Sequence, residues 1–133
     1  MGLFTFHKRE KLNNHSLIRR VFNEGESVYV HPFKIYVLET KLETSFPAQV
    51  LISVPKRYFK KAVDRNRLKR LFRESYRMNK DQLYVELCNR SLQLGLGFVY
   101  IHKEISDLKK INKSITKAIP LLIKFLDEQK QKQ

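Results

Sequence analysis

Two short stretches of this chain alternate apolar and polar residues with a period of two. They constrain the fold more than any other feature of the sequence. In the first, Phe33, Ile35 and Val37 fall on one side, and Lys34, Tyr36 and Leu38 on the other. In the second, Val50, Ile52 and Val54 alternate with Leu51 and Ser53. Side chains of a strand point alternately to opposite faces, so each stretch is a strand with one face to bury. A sheet with an apolar face must be covered, and the covers are legible as helical patterns. Leu17, Ile18, Val21 and Phe22 make one face of a short helix, capped by Asn13 or Asn14 and ending at Gly25. Leu68, Leu71, Phe72 and Ser75 share a face of a helix predicted over residues 61–78. Leu108, Ile111, Ile115, Ala118, Ile119, Leu122, Ile123 and Leu126 form the buried stripe of a last helix, capped by Asp107. Pro120 inside that stripe should kink it or mark a boundary.

The remaining segments fill in the order helix, strands, helix, strand, helix. Residues 27–39 read as a strand broken or bent near Pro32, and residues 48–54 as a second strand ended by Pro55. Residues 41–47 are a polar turn. Residues 81–92 continue the second helix or start another short one. Residues 98–102, apolar almost throughout, read as a central strand. The fold class is α+β, an α/β sandwich with helices packed on a small, mostly antiparallel sheet. Gly and Pro are scarce, four of each, and there is no internal repeat. The 133 residues are therefore expected to form a single domain, 1–133, with a frayed tail at 129–133.

Charge narrows the partners. Lys and Arg number 27 against 13 Asp and Glu, a net charge of +14. A small domain at that charge repels itself unless a polyanion neutralises it. Nucleic acid is the commonest such partner, and an anionic membrane surface the next. No apolar run approaches the roughly 20 residues that span a bilayer, and residues 1–11 have no signal-peptide core. A cytoplasmic location is expected. Cys88 stands alone, which excludes an internal disulfide or a multi-Cys zinc site. It reads as a small buried apolar residue rather than a reactive thiol. The carboxylates are scattered, with no clustered set of the kind a two-metal nuclease needs. His7, His15, His31 and His102 show no metal-ligand spacing. No catalytic residue and no metal ligand is assigned.

Residues 56–77, KRYFKKAVDRNRLKRLFRESYR, carry the functional signal. Ten basic side chains stand against Asp64 and Glu74, a net +8. At about 100° per residue, Asn66, Lys69, Arg70, Arg73 and Arg77 oppose the apolar face, with Arg65 and Arg67 flanking. One side is core and the other a cationic ridge. Arg suits phosphate because its planar fork donates two hydrogen bonds at once. Ordinary solvated faces mix signs, and this one hardly does.

Arg65-Asn66-Arg67, within KAVDRNRLKRLFRE, resembles the RNR motif of the bacterial ribonuclease P protein family. The stretch Ile52-Ser53-Val54-Pro55-Lys56-Arg57 looks like that family's strand leading into the motif. Val21-Phe22-Asn23-Glu24-Gly25 looks like the end of its first helix, and Phe33-Lys34-Ile35-Tyr36 like its early strand. The resemblance covers nearly the whole chain. Two places depart from the family pattern. Tyr58-Phe59-Lys60-Lys61 stands where a glycine is usual, one residue longer. Residues 81–94 are longer than the usual link to the last strand.

The resemblance implies a ribosomal protein S5 domain 2-like sandwich with a left-handed βαβ crossover. It implies a subunit of an endoribonuclease that removes the 5′ leader of precursor tRNA. Catalysis would reside in the RNA partner, and Mg²⁺ would be bound mainly through that RNA. Lys56, Arg57, Lys61, Arg65, Asn66, Arg67, Lys69, Arg70 and Arg73 would contact the catalytic RNA. Ile18, Phe22, Lys34, Tyr36 and Ser53 would line a cleft for the single-stranded leader, where unpaired bases need stacking platforms with cations nearby. The implied partners are that RNA and precursor tRNA, with no membrane and no obligate protein partner. The alternatives are a ribosomal-type or general RNA-binding module and a protein-only nuclease. A helix-turn-helix DNA-binding protein fits poorly, because a strand and Pro55 precede the basic helix.

Overall fold

The computed structural model describes residues 6–131. After a single 3-10 turn at Lys8–Glu10, the elements are α1 (His15–Glu24), β1 (Glu26–Val30), β2 (Phe33–Glu39) and β3 (Ala48–Ser53). They continue with α2 (Ala62–Asn79), α3 (Asp81–Asn89), β4 (Leu94–Tyr100) and α4 (Leu108–Gln131). The four strands form one sheet in the order β1-β2-β4-β3. The β1–β2 and β2–β4 pairs are antiparallel, and β3–β4 is parallel. The two helices between β3 and β4 are thus the crossover of a βαβ unit.

Strand parity decides the layers. Along β2 and β3 burial alternates strictly, with Phe33, Ile35, Val37, Ala48, Val50 and Ile52 buried and their neighbours half-exposed. The buried set joins Leu96, Phe98 and Tyr100 of β4 with Leu68, Phe72 and Tyr76 of α2 and the inward residues of α4. Each such large side chain contributes about 1.5–3 kcal/mol on full burial, so this face is the main source of stability. Phe33 and Phe98 meet edge-on and Phe72 and Phe98 tilted, while Phe72 and Tyr76 stack. The opposite face is covered only in part, by α1.

Several expectations are corrected. Residues 27–39 are broken near Pro32 rather than bent, and the break is a hairpin: the chain reverses at His31–Pro32, a cis peptide, and β1 pairs with β2. The central strand runs Leu94–Tyr100, four residues earlier than expected and ending before His102. Gly95 and Gly97, ahead of the expected start, lie within it. Residues 81–92 contain a separate helix, with Leu83 and Leu87 buried. Cys88 is exposed, because it lies one residue, about 100° of helix, past Leu87. Leu108 is exposed as the first residue of α4, while Ile111 to Leu126 keep the expected stripe. The helix continues through Pro120, held by Ile119 and Leu122 on either side. Asn14 and Asp107 cap their helices as expected, accepting from Leu17 N and Lys110 N. Of the tail, residues up to Gln131 are helical, and 132–133 lie outside the described residues.

One buried polar network ties the N-terminal segment to the middle of the chain. Glu10, 1% exposed, pairs with Lys80 at the α2–α3 junction. Tyr84 donates to the same carboxylate at 2.8 Å, and the backbone N–H of His7 donates to its other oxygen at 2.6 Å. Tyr76 and Tyr84 join hydroxyl to hydroxyl at 3.2 Å. Burial is the first cause that pushes both phenols up, which keeps them neutral. Residues 81–94, unexplained by the sequence, thus supply Tyr84 to this network and Leu83, Leu87 and Leu94 to the core.

Candidate nucleic-acid interface

Register places the predicted cleft residues. Tyr29, Lys34, Val99 and Ser53 form one cross-strand row, through the pairs Tyr29–Lys34, Lys34–Val99 and Val99–Ser53. Directly paired residues share a face, so this row lies on the side away from the core. The next row holds Ser27, Tyr36, Gly97 and Leu51. Helix α1 lies over this second row, and glycine makes that possible. A methyl group on Gly97 would stand 2.8 Å from the Phe22 ring, and one on Gly95 2.8 Å from Val21. Phe22 therefore sits directly on the strand backbone, with its ring 4.9 Å from Tyr36 in an edge contact. Ile18 stands one turn back on the helix and is half-buried.

The first row stays open. Tyr29 is 63% exposed. The Lys34 ammonium sits 5.0 Å from the Tyr36 ring and 5.4 Å from the Tyr29 ring. Hydrogen bonding to Tyr36, then to Tyr29, holds Lys34 above its ordinary 10.5, so its charge is secure at neutral pH. The result is an aromatic and cationic floor beside the α1 wall. Tyr29 belongs to it as well, and a break near Pro32 does not by itself reveal this, because only the β1–β2 pairing sets Tyr29 opposite Lys34.

The ridge is also as expected in outline. Leu68, Phe72, Ser75 and Tyr76 are buried, and Asn66, Arg67, Arg70 and Arg73 are exposed on the other side of α2. Lys69 is half-buried. Two arginines are engaged within the protein. Arg65 donates through Nη1 to the carbonyls of Phe59 and Lys60 at 2.8 and 2.9 Å, clasping the loop before the helix. Arg77 pairs with Glu74 at 2.5 Å, which pulls the Glu74 carboxyl below the usual range. In that loop Phe59 is buried against Tyr100, while Lys56, Arg57 and Lys61 are exposed. The Arg57 guanidinium stacks over Tyr58 at 4.8 Å. Ser53 ends β3 and leads straight into this basic loop, so cleft and ridge are joined by a few residues of chain.

The structure brings two histidines together that sequence spacing kept apart. His31 and His102 meet with ring centres 4.9 Å apart. Among the described residues, no three His, Cys, Asp or Glu side chains group as metal ligands. None of the described helices is long and apolar enough to cross a membrane.

Known proteins match this arrangement. A family model described as Ribonuclease P matches residues 6–118. The ribonuclease P protein component of Porphyromonas gingivalis (strain ATCC 33277) is 33% identical over 117 residues, 87% of this chain and 85% of that protein. That of Clostridioides difficile (strain 630) is 33% identical over 122 residues, 92% of this chain and 96% of its own. The fold is similar to the RNase P protein of Staphylococcus aureus, with a TM-score of 0.67 at 21% identity over 85% of this chain and 94% of that one. It is also similar to that of Thermotoga maritima, with a TM-score of 0.65 at 20% identity over 82% and 94%. With motif, register and these matches in agreement, the chain belongs to the ribonuclease P protein family, the protein components of a tRNA-processing ribonucleoprotein.

Proposed function

We propose that this chain binds the catalytic RNA of ribonuclease P through its α2 ridge and basic loop, and the 5′ leader of precursor tRNA through the cleft. The observation that carries this reading is the open Tyr29–Lys34–Val99–Ser53 row beside Phe22 and Tyr36. Aromatic faces accept unpaired bases of any sequence, and a cation between them meets the phosphates. Such a floor suits a single strand and not a duplex. The ridge is of another kind: exposed Arg and Lys on a rigid helix, built for phosphates of a folded RNA.

Hydrolysis of the phosphodiester bond is assigned to the RNA partner, with Mg²⁺ held there. The chain's own residues do not fit a Mg²⁺ site of their own: hard cations take clusters of oxygen ligands, and the described residues offer no such cluster. The protein's part is to bind, orient and raise the local cation density along the leader. The place of action we assign is the cytoplasm, where precursor tRNA is processed.

The test is cleavage of a 5′-extended precursor tRNA at low Mg²⁺ by protein alone, catalytic RNA alone, and both. Cleavage to the mature 5′ end only with both is the expected result. Cleavage by the protein alone would move the chemistry onto this chain. No gain from adding protein would leave a general RNA-binding domain, a reading the relatives do not favour.

A further inference from the structure

A third concentration of charge lies apart from cleft and ridge. The 3-10 turn, the start of α1 and the β2–β3 loop enclose a groove of about 450 Å³. Lys8, Arg9, Lys11, Arg20 and Lys41 line it, and Glu43 is the one acid among its lining residues. All five cationic side chains are exposed. Arg20 is partly engaged, with Glu24 at 3.2 Å and Thr40 at 3.3 Å, and so braces α1 against the β2–β3 loop. An exposed pair of this kind is worth little and is easily exchanged for a phosphate.

The groove is held in shape from beneath. Glu10, between Arg9 and Lys11, turns inward to its buried partners Lys80 and Tyr84. The Arg9 carbonyl accepts from the Gln49 side chain at 3.0 Å, and Leu12 N–H donates to the Val50 carbonyl at 3.0 Å. The cations thus project from backbone that is already fixed, which lowers the ordering cost of binding.

Two observations identify the occupant. Among the described residues no aromatic side chain lines the groove, and its lining offers phosphate partners rather than stacking faces. Its chemistry is that of phosphodiester backbone. Next to it, along the outer edge of β3, where Lys11 bridges to Val50, a smaller pocket of about 120 Å³ shares Lys11 with the groove and is also lined by Lys69 and Arg73 of the ridge. No acid lines that pocket. A cationic band therefore runs from the α2 ridge around the β3 edge into the groove.

We propose that this groove is a second anchor for the backbone of the catalytic RNA, continuous with the α2 ridge and separate from the leader cleft. The inference rests on the reading given under Proposed function. It extends the RNA contact to the N-terminal segment and the β2–β3 loop.

The test compares the full chain with the K8Q/R9Q/K41Q variant and the charge-conserving K8R/R9K/K41R variant. Each is titrated with the catalytic RNA alone, without precursor, across a salt series. All three side chains are exposed and outside the buried network, and equal melting temperatures keep folding out of the readout. The expected result is at least a tenfold loss of affinity in K8Q/R9Q/K41Q. The slope of log K against log salt should fall by roughly 1.4–2.7, as for two or three lost phosphates. The charge-conserving variant should restore both. An unchanged slope overturns the proposal. So does a loss seen only with leader-bearing precursor on the assembled enzyme, which would give the groove to the leader. If the unmodified chain does not prefer the catalytic RNA over an unrelated folded RNA, the underlying reading fails, and the groove's assignment fails with it.

Discussion

The two faces of the sheet are built from the same strands and do opposite work. On one, Phe33, Ile35, Phe98 and Tyr100 lie under α2 and α4 with almost no exposed surface. On the other, Lys34, Tyr36, Val99 and Ser53 remain half-exposed beside a single short helix. Moving one residue along a strand exchanges the roles. Stability and the proposed RNA binding are therefore separable by parity, and substitutions at neighbouring positions should fail in different ways.

The largest effect should come from the packed face. Phe98→Ala is expected to cost about 3–5 kcal/mol, read as a lower denaturant midpoint. A cost under about 1 kcal/mol would mean that this face is not the core. A similar loss, about 3–5 kcal/mol, is expected for Lys80→Met, because it leaves Glu10 buried and unpaired. Glu10→Gln combined with Lys80→Met should recover much of it.

Next comes Gly97→Ala, on the open face but under α1. The added methyl must displace the Phe22 ring, at about 1–3 kcal/mol, and leader binding should weaken with it. Tyr36→Ala should leave the fold nearly intact, losing an edge contact worth about 0.5–1.5 kcal/mol. It should weaken precursor relative to mature tRNA by about 1–3 kcal/mol, the value of one stacked base. Equal weakening of both RNAs would count against a leader cleft. Smallest in stability is Arg73→Ala, expected within about 0.5 kcal/mol of the parent. Its effect should appear only in the salt dependence of RNA binding, a slope smaller by about 0.7–0.9. Raising pH from 7 to 9 should not discharge the cleft, because Lys34 is held above 10.5 and loses its proton only beyond that.

Parity and helical phase were legible because each is local. Phe33, Ile35 and Val37 against Lys34, Tyr36 and Leu38 needed nothing but spacing, and so did the two sides of α2. Features that depend on a distant partner were not legible. Gly95 and Gly97 look like a strand terminus until α1 is laid across them. His31–Pro32 looks like a bend until β1 and β2 pair. Glu10 and Lys80 look like two solvent charges, since nothing in their neighbourhoods announces burial. Cys88 was misjudged because its residue type suggested burial and the phase of α3 overruled it. The cleft residues Phe22 and Tyr36 came from the family resemblance; periodicity alone assigned Phe22 to core. The structure places that ring between the two roles, half-buried on glycine with its edge toward Tyr36.

The Glu10–Lys80 pair also sets a clock. Its partners are 70 residues apart in the chain. At ordinary rates of synthesis Glu10 waits roughly 4–14 s for Lys80 to be made, and slightly longer for Tyr84. Until then the basic residues around Glu10 hang on a loose strand near a ribosome made largely of RNA, and the edge of β3 has no neighbour at Lys11 and Leu12. A segment made before its partners is thus placed only after them, and the edge of β3 stays open to other pairing while the chain is still growing.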